Sequence, residues 1–79
     1  MKIIRATKKH LTKRQKQVLD FVVNYLASNG YAPTEQEIAD YFGRDRSTAQ
    51  KQVEALVKKD YLRRGQKREW RNLEVISTG

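Results

Sequence analysis

The sequence predicts an α+β domain that is mainly α: three helices followed by a two-stranded β-hairpin. Three observations predict it. Apolar residues recur at helical spacing in three separate stretches between residues 11 and 59. Each stretch opens on a residue suited to capping a helix N-terminus. Beyond residue 60 the apolar period shortens to that of strands. At 79 residues the chain is the size of one small domain with one modest core, and its 38% hydrophobic content suffices for that core.

The first helix is expected to start at Thr12. Thr12 and Gln15 fit a capping box, in which hydroxyl and amide each satisfy a backbone N–H left over by the first turn. Val18, Leu19, Val22, Tyr25 and Leu26 then mark one face, and Asn29-Gly30 reads as a stop, because both residues tolerate the left-handed conformation. Tyr31-Ala32-Pro33 is extended, since the residue before a proline avoids helical angles. Thr34 caps a second helix and Glu37 completes another capping box. Ile38, Tyr41 and Phe42 are placed inward on this helix of about eight or nine residues, too short to hold without packing. Gly43 supplies a positive-φ turn, Asp45 caps the third helix, and Ala49, Val53, Leu56 and Val57 form its buried stripe. That helix ends near Lys58-Lys59-Asp60. Tyr61–Arg64 and Trp70–Ile76 read as strands, with Leu73 and Val75 on one face and a glycine-led basic loop between them.

Composition excludes several classes. There is no cysteine, so a disulfide framework and a cysteine-based zinc site are ruled out. The single histidine, His10, has no partner at catalytic or metal-binding spacing. No nucleotide-binding glycine motif, metalloprotease motif or triad occurs, so the expectation is a non-enzyme without metal, cofactor or small-molecule ligand. No apolar run approaches a membrane span and no signal peptide is visible, which predicts a cytoplasmic protein.

The net charge is +8 and the pI about 10.1. Residues 1–19 hold seven basic residues and no acid, residues 20–57 three basic and six acidic, and residues 58–71 seven basic and two acidic. The excess sits at both ends around a slightly acidic middle. A polyanion-binding face built from the two ends accounts for that split; a solvated basic surface is the plainer alternative.

The helix–tight turn–helix of residues 34–59 carries the sharpest functional signal. A short glycine-containing turn lets the second helix enter a major groove while the first braces it across the backbone. Opposite its buried stripe the third helix presents Arg46, Ser47, Gln50, Lys51 and Glu54. Arg, Lys and Gln hydrogen-bond base edges, and Ser reaches base or phosphate. Glu54 either lies beyond the DNA or accepts from a cytosine amine. Gln66, Lys67 and Arg68 at the hairpin tip suit a minor groove or flanking phosphates. Lys8, Lys9, Lys13, Arg14 and Lys16 suit phosphates, with backbone donors at Thr12, and Thr34 and Arg44 complete the expected backbone set. Trp70, Tyr25, Tyr31 and Tyr41 are read as core rather than as stacking platforms for bases.

Leu11-Thr12-x-Arg14-Gln15, Asn29-Gly30-Tyr31-Ala32-Pro33-Thr34, Glu37-Ile38-Ala39, Phe42-Gly43 and Ala55-Leu56-Val57-x-Lys59 resemble the N-terminal DNA-binding domain of the LexA repressors. The resemblance covers residues 11–76, and its most specific block is Pro33-Thr34-x-x-Glu37-Ile38-Ala39. It implies a winged helix-turn-helix: residues 1–10 a basic arm, residues 11–79 the DNA-binding domain. It also implies operator reading by Ser47, Thr48, Gln50 and Lys51, by position in the first half of the third helix. Gln50 and Lys51 stand where LexA itself has acidic side chains, so the operator should differ, and control of SOS genes does not follow. The turn is one residue shorter than in LexA, in the manner of MarR-type winged-helix regulators. LexA repressors also carry a self-cleaving, dimerising second domain with a serine–lysine dyad; no such segment is seen here, so self-cleavage is not expected.

The expected partner is therefore double-stranded DNA, bound by a transcriptional regulator, a repressor of bacterial, phage or plasmid origin, as monomer or homodimer, and located with the nucleoid. The competing expectation is a winged-helix adaptor, such as a phage protein that binds host transcription or repressor machinery.

Overall fold

The computed structural model describes residues 10–65 and 73–77. Three helices, α1 (Lys13–Asn29), α2 (Glu35–Phe42) and α3 (Arg46–Lys58), precede two strands, β1 (Leu62–Arg64) and β2 (Leu73–Val75). This is the winged helix-turn-helix order, mainly helical.

Local chemistry sets the helix ends. The Thr12 hydroxyl accepts from the Gln15 N–H at 3.1 Å, and the Gln15 amide oxygen accepts from the Thr12 N–H at 3.1 Å. Thr34 and Glu37 repeat the arrangement at 3.0 and 2.9 Å. Each capping residue contributes about 1 kcal/mol, which matters most for α2, only eight residues long. Gly30 ends α1 with φ 81°, its N–H bonded to the Leu26 carbonyl at 2.8 Å.

Between α2 and α3 lie only Gly43, Arg44 and Asp45. Gly43 adopts the left-handed conformation (φ 67°, ψ 35°). The Arg44 N–H then reaches back to the Ala39 carbonyl at 2.9 Å, the six-to-one bond that closes a Schellman turn. Asp45 is already extended and caps the next helix. α3 closes in the same way: Asp60 takes φ 67°, and the Tyr61 N–H bonds the Leu56 carbonyl at 3.0 Å. Aspartate is among the few non-glycine residues that visit this region.

β1 and β2 pair antiparallel, Leu62 opposite Val75, Arg63 opposite Glu74 and Arg64 opposite Leu73. The Tyr61 carbonyl extends the pairing by accepting from the Ile76 and Ser77 N–H groups. Arg63 and Glu74 add a cross-strand ion pair at 2.6 Å on the exposed face. The rest of the expected second strand, with Trp70, and residues 1–9 of the expected arm lie outside the described residues.

The core takes Val18, Leu19 and Val22 from α1, Ala32 and Pro33 from the connection, Ile38 and Ala39 from α2, and Ala49, Val53 and Leu56 from α3; Tyr61, Leu62 and Leu73 close it. Tyr25, Leu26 and Val57 are half-buried at its margin.

Tyr41 departs from expectation: it is 67% exposed, not inward. The buried axis of α2 runs between Ile38 and Ala39, and Tyr41 projects well to one side of it. Its ring stacks on Phe21, centroids 4.3 Å apart. Tyr31 is likewise exposed, edge-on to Tyr25 at 6.0 Å. These tyrosines form an aromatic rim with Phe21 and Phe42 over α1 and α2 rather than core.

Candidate nucleic-acid interface

The face of α3 is set at its first turn. One Asp45 carboxylate oxygen accepts from the Thr48 N–H at 2.9 Å and from the Ser47 hydroxyl at 3.2 Å. The Thr48 hydroxyl, then the Thr48 N–H and the Ser47 hydroxyl, hold the Asp45 carboxyl below its ordinary range. With Ala49, Val53 and Leu56 turned to the core, the helical advance of about 100° per residue carries Ser47, Lys51, Glu54 and Lys58 to the opposite side, and all four are exposed. Arg46 and Gln50 flank that side on one edge, Thr48 and Gln52 on the other.

Of Arg46, Ser47, Thr48, Gln50 and Lys51, the residues expected to read bases, Ser47, Gln50 and Lys51 therefore share one open surface. Glu54 has a partner on its own helix, accepting from the Gln50 amide at 3.4 Å. Arg46 is exposed, but its Nε lies 3.9 Å from the Glu35 carboxylate at the start of α2. Thr48 is half-buried. It lines a small, mostly apolar crevice between the helices, with Arg14, Arg44 and Gln52 around it.

The expected backbone contacts divide. Lys13 is exposed at the first position of α1, and Arg44 is exposed in the turn. Arg14 is half-buried and lies over the Phe42 ring, 5.9 Å from its centroid, a distance at which the ring face attracts the guanidinium. The crevice brings Arg14 and Arg44 together from α1 and the turn. Lys16 pairs loosely with Asp20 at 3.8 Å. The Thr34 hydroxyl is engaged in its capping bond. Gln66, Lys67 and Arg68 at the hairpin tip, and Lys8 and Lys9 before α1, lie outside the described residues.

Residues 8–69 match the family described as the LexA DNA binding domain, well over half of the chain. The chain belongs to the LexA DNA-binding domain family. It is 43% identical over 70 residues to the LexA repressor of Pseudothermotoga lettingae, covering 89% of this chain and 34% of that protein. The LexA repressor of Thermosipho africanus is 46% identical over 59 residues, with 75% and 30% covered. LexA repressor 1 of Geobacter sulfurreducens is 46% identical over 55 residues, with 68% and 27% covered. The chain thus spans about a third of the length of these curated relatives.

The LexA-family span contains the whole helix–turn–helix unit and runs into the hairpin loop. Within it, three residues matter that sequence reasoning missed. Lys59, just past α3, donates to the His10 carbonyl at 2.8 Å and to the Gln15 amide oxygen at 2.6 Å, tying the start of α1 to the end of the candidate reading helix. Gln52 stands one turn beyond Thr48 on the crevice edge, a position its i+4 spacing could have flagged. Glu35 meets both Arg46 and Arg64, a junction that no local pattern announces. Among the described residues no helix is long and apolar enough to cross a membrane.

Proposed function

We propose that this chain binds double-stranded DNA with sequence specificity, as the reading module of a transcriptional repressor that acts by binding rather than by catalysis. The observation that carries the reading is the open surface of α3. Ser47, Gln50 and Lys51 project from the first half of a helix whose other side is locked into the core, behind a three-residue turn. Side chains of these types bond base edges. LexA-family membership supports the same partner. Arg46 and Thr48 border that surface; in this reading Lys13 and Arg44, both exposed, meet phosphates, and Arg14 joins Arg44 by way of the crevice. Lys67 and its neighbours in the hairpin loop, with Thr34 at the head of α2, complete the backbone set. Such a protein works in the cytoplasm with the nucleoid.

Selection of binding sites from a random duplex pool tests this. An enriched consensus is expected, palindromic if two copies bind together and a single half-site if one does. Lys51→Ala and Arg46→Ala should weaken binding to the selected duplex more than to random duplex, whereas Lys67→Ala should weaken both alike. Equal losses on both duplexes for the α3 variants would remove the base-reading assignment. No binding to any duplex at low salt would sink the proposal and favour a protein-docking role, because a chain of net charge +8 on a reading fold should bind DNA non-specifically there.

A further inference from the structure

Three elements meet at the Glu35 carboxylate. It is the first residue of α2, directly behind the Thr34 cap. One of its oxygens lies 3.0 Å from Nη2 of Arg64, the last residue of β1, and the other 3.9 Å from Nε of Arg46, the first residue of α3. The Glu35 side chain is only 16% exposed, while those of Arg64 and Arg46 are 37% and 69% exposed. The acid is thus held inward and the two cations reach out from it.

Pairs this open to water add little to fold stability. Their consequence lies in charge and aim. Arg46 stands at the head of the helix proposed to read bases, and Arg64 at the root of the hairpin whose loop is proposed to hold backbone. The shared counter-charge directs the Arg64 guanidinium through a 3.0 Å hydrogen bond and draws that of Arg46 more loosely, at 3.9 Å. It also sets a negative charge at the start of α2, where the unpaired backbone N–H groups of a helix would otherwise attract phosphate.

We propose that Glu35 is a specificity-determining positioning residue, resting on the DNA-reading function above: its carboxylate aims Arg46 and Arg64 and holds down their affinity for phosphates of any sequence. Non-specific binding is nearly all counterion release, so an acid beside two phosphate-seeking cations subtracts from it in full. In the specific complex the same acid also contributes, because Arg46 arrives already directed toward its contact. Glu35 therefore lowers random-sequence affinity more than selected-sequence affinity, without touching DNA itself.

The test compares wild type and Glu35→Gln on the selected duplex and on random duplex across a salt series. Gln keeps the shape and one hydrogen-bond acceptor but loses the charge. One charge removed at roughly 8 Å from a phosphate in water changes affinity by about twofold to threefold. Random-duplex binding should tighten by that factor, and its log–log salt slope should steepen by about one phosphate's worth, ~0.9. The selected duplex should gain less or lose, so the ratio of the two affinities falls. Equal shifts on both duplexes, or no shift, would overturn the inference. Arg64→Gln in both backgrounds guards against a merely structural effect. It should cost more random-duplex affinity in the Glu35→Gln protein than in wild type, and equal costs would also overturn the inference. If wild type enriches no sequence at all, the DNA-reading function fails and this inference with it. Enrichment with an unchanged ratio defeats the role of Glu35 alone.

Discussion

Gly43 offers the cleanest test of how the turn between α2 and α3 is built. Its φ of 67° and ψ of 35° lie in the left-handed region. A methyl group at this position would meet no other atom within 4 Å. Gly43→Ala therefore introduces no clash, and its whole effect is backbone strain. An L-residue held in this region costs about 1–2 kcal/mol. Alanine also restricts the unfolded chain, which offsets about 0.4–1 kcal/mol. The net loss is about 1 kcal/mol, a fall of roughly 4–8 °C in Tm for a domain of this size. Gly43→Asn should lose less, because asparagine tolerates the left-handed region better than other L-residues. Gly30 is the control: its φ is 81° and its surroundings are equally open, but it ends α1 and does not join the two helices of the reading unit. Both alanine variants should melt earlier by similar amounts in thermal circular dichroism. At a temperature where both are folded, Gly43→Ala should bind the selected duplex more weakly, while Gly30→Ala should bind as wild type does. An unchanged Tm for Gly43→Ala, an asparagine variant less stable than alanine, or identical DNA affinities for the two alanine variants would refute the reasoning.

Two further outcomes follow from packing and charge. Leu56 is fully buried where α3 meets the rest of the core; Leu56→Ala should cost about 2–5 kcal/mol, read as a lower urea midpoint, and a loss well below that range would mean that the site collapses around the smaller side chain. The Asp45 carboxyl is held below the ordinary 3.8 by Thr48 and Ser47. Its stabilising effect is therefore complete above that value and is lost as pH falls through the depressed folded value. Asparagine also caps helices but carries no titrating group, so the stability difference between wild type and Asp45→Asn should shrink over this acid window. A constant difference from roughly pH 6 to pH 2.5 would contradict the assignment.

The helix boundaries were legible because their causes are local. Thr12 with Gln15, and Thr34 with Glu37, each lie three residues apart, and a capping box needs nothing from the rest of the chain. The Gly43–Asp45 turn was legible for the same reason: a glycine C-cap and an aspartate N-cap with one residue between them leave no room for another structure. Asp60 was not, because its left-handed conformation is imposed by the descent of the chain from α3 into β1, and aspartate signals that only weakly. Tyr41 failed for a different reason. Counting only large apolar residues draws the stripe of α2 through Ile38, Tyr41 and Phe42. Ala39, fully buried, turns the true axis toward itself, about 100° further round the helix than Ile38. A small residue that packs without announcing itself displaced the face, and the tyrosine was left outside.

The candidate site was legible to the extent that one helix face defines it. Ser47, Gln50 and Lys51 follow from Ala49, Val53 and Leu56, because a helix with a known buried side has a known open one. Arg46 shows where this logic stops. It was expected among the base-reading residues, yet its Nε lies 3.9 Å from the carboxylate of Glu35, eleven positions earlier in sequence. In sequence Glu35 is an ordinary acid in the first turn of a helix, well explained by the helix dipole. Only the folding of β1 back to α2 brings Arg64 to the same carboxylate and turns a local preference into a junction of three elements. A base-reading assignment drawn from the face of α3 treats its cations as equally free. The junction separates them: Lys51 is exposed at the middle of the open face, whereas Arg46 must give up or share an anion before it meets a base or a phosphate. Substitutions at the two positions should therefore differ most in salt dependence, with Lys51→Ala lowering the slope by about one phosphate's worth if it touches the backbone, ~0.9, and Arg46→Ala by less, since part of that charge is already neutralised by Glu35.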